Sequence, residues 1–205
     1  MTRRPNIIVV VTDDQGAWAM GCAGNDEIRT PTLDRLAAEG TRFENFFCVS
    51  PVCSPARASI LTGRIPSQHG VHDWLRAGNS TCEPEMGGKL VEYLEGFDGY
   101  TDHLARAGYE CGMSGKWHMG DCHHPQKSYS FWKAHARAGG SYMKAPMVKD
   151  EQDIYFTDRY VTDDAIEFLD HWSGDAAGGV GAGDAPFCLA VNYTAPHSPW
   201  EREEH

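Results

Sequence analysis

The run Asn6-Ile-Ile-Val-Val-Val-Thr12 constrains this chain more than any other segment. Its β-branched residues crowd the preceding turn of a helix and sit well on a pleated strand. The run does not alternate with polar residues. It therefore predicts a central strand buried on both faces, in a sheet covered by helices. It stops at two carboxylates, Asp13 and Asp14. Pro186 to Tyr193 reads as a second buried strand, and Tyr109 to Ser114 as a shorter one. Helices are expected from Leu33 to Glu39, capped by Thr32 and stopped by Gly40, and from Ala56 to Thr62, opened by Ser54-Pro55. Two more are expected from Tyr100 to Ala107, ended by Gly108, and from Thr157 to Trp172, where Val161, Ala165, Phe168 and Leu169 recur at helical spacing. Thr41 to Cys48 reads as a further extended segment, and the Gly/Ala/Asp-rich stretch 174–185 as a flexible loop. Strands alternating with helices give an α/β fold with a mostly parallel central sheet.

The 205 residues carry 18 Lys and Arg against 29 Asp and Glu, a formal net charge of −11. That balance argues against nucleic acid as a partner, because phosphate contacts need a basic face. It leaves room for a small anion, since a few local cations override the global field. Met1-Thr-Arg-Arg resembles the start of a signal peptide, but the apolar run after it is too short for one. Nothing approaches the ~20 apolar residues of a membrane span, so the expectation is a soluble, cytoplasmic protein with no membrane partner. The seven cysteines show neither CxxC pairs nor regular spacing. Most of them are expected to be small buried hydrophobes rather than a disulfide or zinc framework.

In parallel sheets the functional side chains gather at the carboxyl ends of strands. Those ends hold Asp13-Asp14, then Gly115-Lys116-Trp117-His118, then Pro196-His197. Adjacent carboxylates repel unless a cation lies between them, and hard oxygen donors favour Ca²⁺ or Mg²⁺. The alternative is a helix cap beside a solvated acid. Cys53-Ser-Pro-Ala-Arg57 places a thiol at a helix N-terminus, where its pKa should be lowered, with an anion-binding arginine one turn later. Lys116 and His118, taken alone, are equally compatible with an exposed strand end, and His197 with an ordinary turn. His123-His124 looks like a metal pair, although adjacent loop residues seldom chelate one ion. His69 and His72 either border the pocket or fold the loop after the helix. Trp74, Trp117, Trp132 and Trp200 offer either stacking surfaces or core packing.

Cys53-x-Pro-x-Arg57 followed by Leu61-Thr-Gly-Arg64 resembles the signature of the type I sulfatases, members of the alkaline-phosphatase-like superfamily. Pro5 to Asp14 resembles that family's first strand and metal-binding aspartates. Gly108 to His118 resembles its second signature, with Cys111 where a hydroxyl residue is usual. Ala195-Pro-His-Ser-Pro199 resembles its active-site histidine turn. The resemblance covers about residues 5–120 and 186–200.

It implies an alkaline-phosphatase-like α/β fold, with residues 1–205 as the N-terminal part of a sulfatase catalytic domain. It also implies that Cys53 is converted to Cα-formylglycine by a formylglycine-generating enzyme. Asp13, Asp14 and the modified Cys53 would then hold Ca²⁺, with Mg²⁺ possible. Arg57, Lys116, His118 and His197 would be catalytic, with His118 as base and His197 at the leaving oxygen. The implied reaction is hydrolysis of an alkyl, aryl or carbohydrate sulfate ester. A phosphonate or phosphodiester monoester hydrolase of the same superfamily and a truncated, non-catalytic member remain as alternatives. The family's second metal-binding pair, Asp followed by Asn or His, has no match: Asp102-His103 and Asp170-His171 fall inside expected helices.

Overall fold

The computed structural model describes residues 4–75, 91–135, 145–146, 153–154, 157–174 and 185–200. Most of the stretch expected to be a flexible loop, 175–184, lies outside these residues. The elements run β1 (Ile7–Val11), α1 (Pro31–Glu39), α2 (Cys53–Thr62), α3 (Pro66–His69), α4 (Tyr100–Arg106), β2 (Glu110–Gly115), β3 (Phe131–Ala134), β4 (Ala145–Pro146), β5 (Asp153–Ile154), α5 (Thr157–Ser173) and β6 (Phe187–Asn192). Four strands form one sheet in the order β1-β6-β2-β3. All three pairings are parallel, with Ile7 opposite Cys188, Cys111 opposite Cys188, and Gly112 opposite Phe131. β4 and β5 make a separate antiparallel pair.

The period-2 alternation of the inner strands divides the core between the two faces. Cys111 and Met113 of β2, with Cys188 and Ala190 of β6, point toward a cluster that includes Ala58, Leu61, Trp117 and Tyr129. Phe187, Leu189 and Val191 of β6 point the other way, onto Val161, Ala165 and Phe168 of α5. Gly112 makes that second packing possible, because a Cβ there would sit 2.7 Å from the Phe168 ring. The buried Cys111 thiol donates to the Thr101 carbonyl at 3.7 Å.

Several expectations need correction. β1 forms as expected but lies at the edge of the sheet among the described residues, not at its centre. Ile8 and Val10, in register with Leu189 and Val191, are 53% and 57% exposed, because the helix-covered cluster on that face includes no residue of β1; burial on both faces belongs to β6 and β2. Thr41–Cys48 forms no strand, and Phe43, Phe46 and Phe47 are exposed. Apolar character alone does not create a ladder partner. α1 starts one residue before Thr32, since Pro31 suits the first turn, where no amide donor is needed. Cys48 is exposed and Cys22 half-buried, whereas Cys111, Cys122 and Cys188 are buried as expected. β3 and the short α3 were not foreseen. No helix among the described residues is long and apolar enough to cross a membrane.

Candidate active site

Because the sheet is parallel, the residues following β1, β6, β2 and β3 emerge on one edge. Asp13 and Asp14 follow β1. Asp14 has φ 60°, in the left-handed region. Successive side chains of a strand point to opposite faces, and this break in the extended backbone lets both carboxylates serve one locus. Asp13 is buried and Asp14 exposed. Among the described residues, one carboxylate, thiol and imidazole cluster is compact enough to share an ion: Asp13, Asp14 and Cys53, with donor atoms within 4.8 Å of one another.

Cys53 is the first residue of α2, entered from an extended Val52 with no side-chain cap, so the helix presents free amide donors beside it. Arg57 lies one turn further along the same face and is buried. Its Nη2 donates to Asp13 Oδ2 at 3.2 Å and its Nη1 to the Lys116 carbonyl at 3.0 Å. Lys116 Nζ forms an ion pair with the same Asp13 oxygen, and the lysine side chain is 1% exposed. The exposed strand end considered for Lys116 and His118 is therefore excluded: both are buried.

Gly115 sets this position. At φ 102° any Cβ would stand 2.0 Å from the Asn192 carbonyl oxygen, and that carbonyl accepts the Lys116 amide at 2.9 Å. Only glycine allows β2 to leave β6 there with Lys116 turned toward Asp13.

The charges follow from this packing. Burial alone would raise the Asp13 carboxyl, but Arg57 and Lys116 together hold it below its ordinary value. Burial lowers the Arg57 guanidinium, and Asp13 opposes the change. The Cys53 thiol is raised by burial, with Asp13 adding to the rise and Lys116 opposing it. That overturns the expected lowered thiol pKa: burial and a carboxylate 3.3 Å away outweigh the helix terminus. The thiol stays protonated and donates to Asp13 Oδ1.

His118 follows Lys116 in a left-handed conformation, φ 58°. One ring nitrogen, Nε2, lies 3.1 Å from the Leu75 carbonyl, which can only accept, so Nε2 carries the proton. Nδ1 then holds a lone pair, buried and without a partner among the described residues. Burial, aided by Lys116, pushes this imidazole down to about 4. His197 enters from the loop after β6, where its amide donates to Thr194 O at 3.0 Å, and its Nε2 lies 3.6 Å from Asp14 Oδ2. The same loop is tied to the aspartates by the Asp13 amide, which donates to Ala195 O at 3.3 Å.

The remaining candidates serve the fold. His69 accepts the Val71 amide on Nδ1 and meets Ser59 Oγ at 3.0 Å, so it folds the loop. His72 is exposed. His124 Nδ1 and the His123 amide both bond the buried Asp121 carboxylate, which organises their loop instead of an ion. Trp117 packs against Trp132 at 5.1 Å and Tyr129 at 6.3 Å, while Trp74 meets His118 edge-on at 5.9 Å and is half exposed. Asp102 accepts the Gly99 amide at 2.7 Å and so caps α4. Sequence reasoning missed His135, which follows β3 on the same edge and is buried. The usable signal was a short apolar segment, Phe131-Trp132, running into a histidine.

The chain that builds this sheet and its carboxyl edge matches known proteins over nearly its whole length. The sulfatase family profile matches residues 5–205. The chain is 33% identical to the N-acetylglucosamine-6-O-sulfatase of Bacteroides thetaiotaomicron, over 97% of this chain and 32% of that protein. It is 38% identical to human steryl-sulfatase over 60% of this chain and 22% of that protein. Among solved structures, a protein in complex with its substrate D-glucosamine-2-N,6-O-disulfate aligns with TM-score 0.74 and 31% identity, over 97% of this chain and 36% of that one. A protein in complex with k-i-k-neocarrahexaose aligns with TM-score 0.78 and 25% identity, over 98% of this chain and 47% of that one. The fold is that of the alkaline-phosphatase-like sulfatases. The chain belongs to the sulfatase family. It spans about a third of the length of the N-acetylglucosamine-6-O-sulfatase.

Proposed function

We propose that the protein is a sulfuric ester hydrolase acting on a sulfated carbohydrate, and that residues 1–205 are the N-terminal part of its catalytic domain. The observation that carries this reading is the convergence of two buried cations, Arg57 and Lys116, on the single buried carboxylate Asp13, beside Cys53. The surplus positive charge suits a sulfate group inside a chain of net charge −11. The sulfated sugars belong to the relatives named above, and their extension to this protein is part of the proposal.

Two absent groups fit the residues present. Asp13 and Asp14 offer hard oxygen donors close to residue 53, a set that suits Ca²⁺ or Mg²⁺ better than a soft metal. When bound, such an ion supplies positive charge at residue 53 and at the sulfate oxygens. Cys53, set in Cys53-Ser-Pro-Ala-Arg57 at the start of α2, suits conversion to formylglycine by a formylglycine-generating enzyme, and the hydrated aldehyde would supply two hydroxyls on one carbon.

The chain's own side chains then divide the work. Arg57 holds Asp13, the carboxylate that accepts from residue 53, while its second nitrogen holds the Lys116 backbone. Lys116 Nζ, held at Asp13 Oδ2, lies at hand for a sulfate oxygen. His118 Nδ1, which has no partner among the described residues, would accept a proton from a hydroxyl at the modified residue 53. His197 binds the leaving oxygen through Nε2, which lies 3.6 Å from Asp14 Oδ2.

The test is turnover by the full-length protein from a host with the modifying enzyme, on matched aryl sulfate and aryl phosphonate esters and on 6-O-sulfated glucosamine. Sulfate release lost in Cys53→Ala supports the proposal. Preference for phosphonate by orders of magnitude, or no turnover by the modified protein, overturns it.

A further inference from the structure

His135 has no role in the chemistry above, yet its surroundings are those of a working residue. Its amide donates to the Gly115 carbonyl at 2.9 Å, which extends the β2–β3 ladder one step beyond Gly115 and Ala134. The imidazole therefore sits beside the strand end that delivers Lys116. It is 3% exposed. Burial, with Arg57 and Lys116, pushes it down to about 3, so the ring is neutral. One nitrogen, Nδ1, lies 3.3 Å from Thr194 Oγ1, while Nε2 has no partner among the described residues. Thr194 in turn starts the turn that carries His197, since its carbonyl accepts the His197 amide. A buried imidazole is costly to leave half-bonded, and a phenyl ring would fill the same space without that cost. What the imidazole adds is a bond from the β3 end, beside Lys116, to the base of the His197 turn.

We propose that His135 is a positioning residue: through Thr194 it holds the turn that places His197 at the leaving oxygen, coupling it to the strand end that carries Lys116. This rests on the proposed sulfate ester hydrolysis for its catalytic consequence, but not for its structural one. Leaving-group chemistry separates the role from general stabilisation. An alkyl or sugar oxygen needs a proton as it departs, whereas a nitrophenolate does not. Loss of His197 positioning therefore falls on poor leaving groups.

The experiment compares His135→Phe, His135→Asn, Thr194→Val and Thr194→Ser in the full-length, modified protein. With a sugar sulfate, His135→Phe and Thr194→Val should lower kcat about tenfold or more, with 4-nitrophenyl sulfate changed less than about threefold. Thr194→Ser should retain wild-type rates, and His135→Asn should recover part of the loss. In parallel, hydrogen exchange of peptide 190–200 should rise by about five- to tenfold in His135→Phe and Thr194→Val, the size of one neutral hydrogen bond. Peptide 109–116 should remain protected. Equal losses on both esters, or unchanged exchange in both variants, overturn the assignment. If the wild-type protein cleaves neither ester, the proposed activity fails and the exchange result alone decides the role of His135. A Phe variant that does not fold leaves Thr194→Val to decide it.

Discussion

Replacing Asp13 by Asn tests the electrostatic core of the site. The Asp13 carboxylate takes the guanidinium of Arg57 at 3.2 Å and pairs with Lys116 on the same oxygen. At an effective dielectric of ~20, one such pair at this distance is worth about 5 kcal/mol before desolvation is counted. Desolvation cancels much of that gain in the wild type. An asparagine would remove the gain while leaving two buried cations facing each other, for which the usual cost is about 3–5 kcal/mol. A typical domain has ~5–15 kcal/mol in total, so chelator-treated Asp13→Asn protein should unfold at markedly lower urea.

The partner variant completes the cycle. Lys116→Met should cost less in the Asp13→Asn background than in the wild type, with a coupling of about 1–3 kcal/mol. The pH dependence has a defined sign. The folded carboxyl titrates below its ordinary 3.8, so its stabilisation is present above pH 3.8 and is lost as pH falls through the lower, folded value. The variant should lack that part of the acid limb. A loss below ~1 kcal/mol, additive single variants, or an unchanged acid limb would refute the reasoning.

Gly115→Ala should destabilise by about 3–5 kcal/mol in thermal or urea unfolding, from the positive-φ penalty and the collision with Asn192 O. Asp14→Asn keeps a residue that tolerates the left-handed region, so stability should shift by less than ~1 kcal/mol. Calcium affinity by calorimetry should nonetheless fall about tenfold or more. His118 is neutral in the fold, with its pKa pushed to about 4, so stability should decline as pH drops from 6.5 toward that value, and His118→Asn should flatten the decline. In protein with unmodified cysteines, iodoacetamide at pH 7 should alkylate exposed Cys48 well before Cys53, as peptide mass spectrometry would show.

The sequence carried the strands and the site unequally. Ile7–Val11 was legible because five β-branched residues leave the chain few other conformations. Its place at the sheet edge among the described residues was not, because a strand's composition does not name its neighbours. The proximity of Asp13, Cys53, Arg57 and Lys116 followed from motifs at strand ends and a helix start. The state of the Cys53 thiol did not, because it depends on a carboxylate 40 residues away and on burial that only the fold creates. His135 was hidden for a related reason. β3 has four residues, one of them Lys133, and shows neither a long apolar run nor a clean alternation. His69 and His124 looked like site residues in sequence and prove to be hydrogen-bonded within their own loops, His69 to Ser59 and His124 to Asp121.

The most direct measurement on the central claim is the mass of the peptide 43–64, isolated from the protein as made in its native host. Conversion of Cys53 to formylglycine lowers that mass by about 18 Da relative to the cysteine form. The account predicts the lighter peptide, or its hydrate, as the dominant species. An unmodified Cys53 thiol throughout the native protein would contradict it.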